Sequence, residues 1–182
     1  MGSNDVCKIF MVLTTSRVAG GVSRFGQNIA IALVHSMQHS GRVVELLLVG
    51  ENPAEARIAR EALTRGQSLR HVTVASTSDE AMQILRREPP AFTNAPRPDL
   101  ILLHLAQPYT NGRGLLEGIK GDPTLRRIPV MVLGDSQTDE LQRAYNHHAN
   151  CYIRKPASAD ELLRVIESIE QFWLGVVTLP PR

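Results

Sequence analysis

Three short, mostly aliphatic runs constrain this chain more than any other feature: Val44 to Val49 (VELLLV), Asp99 to Leu105 (DLILLHL) and Pro129 to Leu133 (PVMVL). A strand with one wet face alternates apolar and polar residues. A run that stays apolar at successive positions needs cover on both faces. Val72 to Ala75 and Cys151 to Ile153 supply two further short strands. Between the strands lie helical patterns with recognisable starts. Asn52-Pro53-Ala54-Glu55 offers a capping Asn, Pro at the first helical position and Glu where a capping box wants it. That helix runs to about Arg65 with Ile58, Ala62 and Leu63 inward. Thr77-x-x-Glu80 and Ser158-x-x-Glu161 are two more capping boxes. Leu115 to Lys120 and Ser136 to Asn146 complete the helical set. The last helix carries Leu162, Ile166, Ile169 and Trp173 on one stripe.

Five strands alternating with five helices imply an α/β fold, a flavodoxin-like doubly wound parallel sheet covered on both faces. The strand order 2-1-3-4-5 is a topology expectation that periodicity does not supply. In such sheets ligands bind at the strand carboxyl ends, beside the switch point between the first and third strands. That rule singles out Gly50, Glu51, His104, Gly134, Asp135 and Lys155. Glu88 to Pro98 holds four prolines and must be a loop.

Residues 1–42 differ from the rest. They hold Lys8, Arg17, Arg24 and Arg42 against Asp5, so they carry +3 of a chain total of +2, leaving −1 for the remainder. Val6 to Leu13 reads as a strand and Val22 to Met37 as a helix, with Gly20-Gly21 as a hinge. This stretch is treated as an N-terminal extension, expected to be partly disordered. Residues 43–174 form the domain, and 175–182 a C-terminal tail.

A net charge of +2 on 182 residues lacks the basic excess of a dedicated nucleic-acid binder. No apolar run is long enough to cross a bilayer. Cys7 and Cys151 sit in no zinc-type or redox spacing, and no signal-peptide pattern opens the sequence. The expected compartment is cytoplasmic.

The segments LLLVGENPAEARIAREAL, RPDLILLHLAQPYTNGRGLLEGIK, RRIPVMVLGDS and ANCYIRKP together resemble the receiver domain of two-component response regulators, over roughly residues 43–174. The ending IEQFWLGVVTLP makes the chain similar to the short single-domain regulators that work with bacterial phytochromes. A working receiver of that family uses an acidic pair after the first strand to hold Mg²⁺. It uses an Asp ending the third strand as phosphoacceptor, a Thr or Ser after the fourth strand, a Lys after the fifth, and an aromatic switch residue. Carboxylate attack on phosphorus needs a hard cation and positive donors around the transferring group.

The resemblance places these roles on residues that only partly suit them. The phosphoacceptor position falls on His104, the acidic pair on Gly50 and Glu51, and the Thr/Ser position on Gly134. Lys155, Pro156 and Tyr152 match the family, Tyr152 as the aromatic switch. The implied site cannot undergo Asp phosphorylation. Neutral His104 is expected to fill the old pocket, hydrogen-bonded to Glu51 or a backbone group, with Lys155 paired to Glu51 and no cation required. Two other readings stay open: a soft transition metal held by His104, Glu51 and Asp135, and phosphorylation of His104 itself. His147-His148 and Arg126-Arg127 read as exposed pairs. Gly112-Arg113-Gly114 lacks the phosphate-loop context.

The tail Phe172 to Pro180 is strongly apolar. Such a segment folds back on its domain or buries itself in a partner. By resemblance, Phe172, Trp173, Val177 and Leu179 are expected in an arm-in-arm homodimer; packing within the monomer is the alternative. The expected function is that of an atypical, pseudo-receiver response regulator in phosphorelay signalling. It would act by protein contact, without Asp phosphorylation, catalysis or a cofactor. Its partners would be a second copy, a sensor kinase of phytochrome type or a downstream protein, through the face of the fourth helix, fifth strand and fifth helix. The alternative is a small-ligand or metal sensor using His104, Glu51, Asp135 and Lys155 in the vacated pocket.

Overall fold

The computed structural model describes residues 43–65, 70–104, 113–135 and 138–182. The strand, hinge and helix expected within residues 1–42 lie outside the described residues, as does Leu105. The aliphatic runs become five parallel strands: β1 Val44–Gly50, β2 Arg70–Ala75, β3 Leu100–His104, β4 Val130–Gly134 and β5 Cys151–Arg154, in the order β2-β1-β3-β4-β5. Helices alternate with them: α1 Pro53–Arg65, α2 Ser78–Arg86, α3 Arg113–Gly121, α4 Thr138–Asn146 and α5 Ala159–Ile169, which continues as a π-helical segment over Glu170–Leu174. β2 starts two residues earlier than its apolar run, because Arg70 and His71 pair in register with Val44 and Glu45 on this edge strand.

Strand parity sorts the core into two halves, since successive side chains point to opposite faces. Leu46, Leu48, Leu100, Leu102, Met131, Leu133, Cys151 and Ile153 pack under α1 and α5. Leu47, Val49, Ile101, Leu103, Val130 and Val132 pack under α2, α3 and α4. Both faces are dry, as the uninterrupted aliphatic runs require.

Caps fix where the helices enter. Thr77 and Ser158 accept from the backbone N–H groups of Glu80 and Glu161. The two glutamates reach back to the N–H groups of Ser76 and Ala157, at 2.7 and 2.8 Å. Asn52 Oδ1 accepts from Ala54 N and Glu55 N at 3.0 and 3.4 Å. Glu55 itself does not turn back to complete that box. The proline-rich stretch after α2 is irregular, as expected, and holds a cis Pro89-Pro90 bond.

The tail folds over its own domain. Trp173 and Leu174 are buried, and Phe172, Val177 and Leu179 pack against the α1/α5 half of the core. Phe172 meets Trp173 edge to face, with ring centroids 5.6 Å apart. Arg70 pairs with Glu170, tying the π-helical segment to β2. At the amino edge of the sheet Arg182 grips buried Asp99 through two hydrogen bonds of 3.1 and 2.7 Å, and donates to Val43 O at 3.1 Å. Asp99 also accepts from Glu45 N at 2.9 Å, so both of its carboxylate oxygens are engaged.

Candidate functional site: the carboxyl edge of the sheet

Parallel strands bring Gly50, His104, Gly134 and Lys155 to one edge, and parity then separates them. His104 follows Leu100 and Leu102 onto the α1/α5 side, and Lys155 follows Cys151 and Ile153 there. Gly134 follows Val130 and Val132 onto the α4 side, where Tyr152 packs too. The edge therefore carries two separate clusters.

The first cluster is His104, Glu55 and Lys155. His104 is 5% exposed. Its Nε2 lies 3.0 Å from Glu55 Oε2, and Lys155 Nζ lies 3.6 Å from the same oxygen. Among the described residues this imidazole nitrogen makes no directed hydrogen bond, so it meets Glu55 by proximity alone. Burial pushes the His104 pKa below its ordinary value. Glu55 pulls it up, Lys155 pushes it down, and Asp135 pulls it up more weakly. The net direction is downward, leaving a neutral ring at pH 7.

Glu55 corrects the sequence reading. Glu51, expected to pair with Lys155 and hydrogen-bond His104, is exposed at the mouth of the edge. Glu55 takes that place because Asn52 already caps the first N–H groups of α1. Its carboxylate is then free to reach a lysine cation instead of a backbone N–H. A capping box and a carboxylate turned into the sheet edge share the same spacing. Parity was the signal that could have told them apart, because it puts both His104 and Lys155 under α1.

The second cluster forms around Gly134. A β-carbon at Gly50 would meet only His104 O at 3.5 Å and Ala56 Cβ at 3.6 Å, both ordinary contacts. A β-carbon at Gly134 would collide with Glu140 Oε1 and with the hydroxyl end of Tyr152. Glu140 is buried, Tyr152 half-buried and Pro156 half-buried. The other predicted residues do not converge. Asp135 is exposed at the edge, as are Arg126 and Arg127, whereas His147 is only half-exposed and stands 3.1 Å from Glu117. His148 is exposed and ends α4 in a left-handed conformation, φ 62°.

These donors do not suit a hard divalent cation, which takes carboxylate and carbonyl oxygens. Gly50 contributes no side chain, position 104 offers an imidazole, and the nearest Glu55 oxygen faces the Lys155 ammonium. Nor is the soft-metal set of His104, Glu51 and Asp135 assembled: among the described residues no group of three His, Cys, Asp or Glu could hold a metal.

A five-stranded parallel sheet of this order, with polar groups gathered at the strand carboxyl ends beside the switch point, is a flavodoxin-like doubly wound α/β domain. The family model for the response regulator receiver domain matches residues 46–167, and the chain belongs to that family. Response regulator Rcp1 of Synechocystis sp. is 38% identical over 136 residues, covering 74% of this chain and 92% of the relative. The probable methanogenesis regulatory protein FilR2 of Methanothrix harundinacea is 36% identical over 143 residues, covering 75% and 91%. Among solved structures, the phosphorylated cyanobacterial phytochrome response regulator RcpA aligns with a TM-score of 0.72 at 42% identity, over 77% of this chain and 100% of that one. The Mn²⁺-bound form of Rcp1 aligns at 0.70 and 37% identity, over 76% and 99%.

Proposed function

We propose that this response regulator signals by protein contact, without phosphoryl transfer to the end of β3. The observation that carries the reading is the His104–Glu55–Lys155 cluster. A neutral, buried imidazole stands where the family resemblance puts the phosphoacceptor, and the lysine is occupied by a carboxylate of the same chain. Such a set is balanced in charge without a cation or an incoming phosphoryl group. No catalytic activity and no resident cofactor are assigned to it.

The partner class follows from RcpA, which is named as a cyanobacterial phytochrome response regulator. A sensor kinase of phytochrome type is the proposed partner, docking on the face of α4, β5 and α5. A cytoplasmic location fits a chain in which, among the described residues, no helix is long and apolar enough to cross a membrane. Nucleic acid is not among the proposed partners.

Self-association remains part of the proposal with its contact redrawn. Trp173 is seated in its own domain, so a second copy would meet Val176, which is 44% exposed, and the outer edges of Phe172, Val177 and Leu179. Sedimentation should then show a dimer that Val176→Asp dissociates; a monomer at all concentrations would remove the dimer from the account. For the main reading, affinity for the sensor's kinase region is measured before and after treatment with acyl phosphate and Mg²⁺. Unchanged affinity supports contact signalling, and a tenfold change would overturn it.

A further inference from the structure

Of the twenty Lys and Arg side chains only three are lysines: Lys8, Lys120 and Lys155. Lys8 lies outside the described residues, and Lys155 faces the Glu55 carboxylate. Lys120, in the last turn of α3 and half-buried, is held differently. Its Nζ donates to Ile128 O at 2.8 Å, to Asn150 Oδ1 at 2.9 Å and to Arg126 O at 3.3 Å. All three are neutral oxygens, and among the described residues no carboxylate pairs with this ammonium. The nearby acids are turned elsewhere: Glu117 stands beside His147, and Asp122 Oδ1 accepts from Thr124 N and Thr124 Oγ1.

An ammonium drawn partly out of water and faced by dipoles alone gives up its proton more readily. Burial lowers the Lys120 pKa to about 8. The geometry also says which proton is held least. The two short bonds anchor the amine, and Asn150 Oδ1 is itself fixed by Val130 N at 2.9 Å. The contact with Arg126 O is the longest of the three and the most exposed. Loss of that proton points the nitrogen lone pair toward the segment that carries the exposed Arg126 and Arg127. Two guanidinium groups in that segment favour an electrophile that brings negative charge with it.

We propose that Lys120 is an acylation site whose acyl donor is a small acyl phosphate. Nζ attacks the acyl carbonyl carbon. The new C–N bond forms as the bond from that carbon to the phosphate oxygen breaks, and the departing phosphate takes the second amine proton. The amide product keeps one N–H where the ammonium had three. One donor cannot serve three acceptors, so acylation frees at least two of Arg126 O, Ile128 O and Asn150 Oδ1 from the lysine. The ties from α3 to the segments entering β4 and β5 loosen, at the end of the sheet opposite His104.

The test incubates the full chain with acetyl phosphate and follows acetylation of each lysine by peptide mass mapping. In the folded protein Lys120 should react roughly fivefold or more faster than Lys155, and in urea the two rates should become equal. A folded-state rate at Lys120 no higher than at Lys155 would overturn the site. The donor is tested with Arg126→Gln combined with Arg127→Gln. This pair should slow acetyl phosphate at Lys120 by roughly threefold while leaving uncharged acetic anhydride unaffected. A Lys120 preference seen with acetic anhydride and absent with acetyl phosphate would overturn the acyl phosphate assignment. Acetyl and phosphoryl adducts differ in mass, so this outcome is read apart from any phosphoryl transfer to β3.

Discussion

The two clusters at the carboxyl edge lie one strand-face apart and are held by different physics. On the α1/α5 side His104, Glu55 and Lys155 are matched by charge, across distances of 3.0 and 3.6 Å, with Glu55 and Lys155 about a quarter exposed. On the α4 side Gly134, Tyr152 and Glu140 are matched by volume, in a place with no room for one more carbon. Charge between partly exposed groups is weak and tunable by pH and salt. Packing at full density responds to a volume change as small as one methylene. The contrast teaches that one sheet edge can carry two unlike kinds of cluster: a titratable one around an imidazole, and a steric one around a glycine.

Substitutions should break the two clusters unequally. The largest effect belongs to Gly134→Thr, which overpacks a filled site and should cost roughly 1–3 kcal/mol in denaturant unfolding. Glu55→Gln removes the carboxylate shared by His104 and Lys155, yet should cost no more than about 1 kcal/mol, because both Glu55 and Lys155 keep access to water. A larger loss from Glu55→Gln than from Gly134→Thr would reverse the comparison.

Acidity separates the clusters next. The His104 pKa is lower in the folded protein than the ordinary value of 6.5, chiefly through burial. The unfolded chain therefore binds more protons than the folded one just below pH 6.5, and stability falls as pH drops from there towards the folded value. Comparing urea midpoints from pH 7.5 downwards, His104→Gln should flatten part of that decline, whereas Tyr152→Phe should leave its slope unchanged. A slope unaltered by His104→Gln would mean the imidazole does not carry it. The smallest effect is Gly50→Ala. Its new carbon meets only ordinary contacts, so it should be neutral or stabilise by about 0.4–1 kcal/mol through the unfolded chain.

How much of this was legible beforehand depends on what kind of signal each residue carries. The strands declared themselves through consecutive aliphatic residues, which nothing but a two-sided core rewards; β2, whose first two residues are Arg and His, was shortened for the same reason. Family resemblance located His104, Gly50, Gly134 and Lys155, and the sheet brings all four to the expected edge. At Glu55 local spacing favours a cap while the tertiary pull of Lys155 favours the sheet edge, and only the second depends on the fold. Glu140 gave no sign at all. It looks like one more acid in the first turn of a helix, and its burial follows from where Tyr152 and a glycine leave space. The tail was read as needing cover, which it does; its own domain supplies much of that cover, with Arg182 fastened to Asp99 at the far edge.

The central claim is that the end of β3 does not accept a phosphoryl group. The direct measurement is the intact mass of the full chain after incubation with a small acyl phosphate and Mg²⁺, run beside His104→Ala. The account predicts no phosphoryl adduct on either protein. An adduct on the wild type that disappears in His104→Ala would show that His104 takes phosphate, and would contradict the claim.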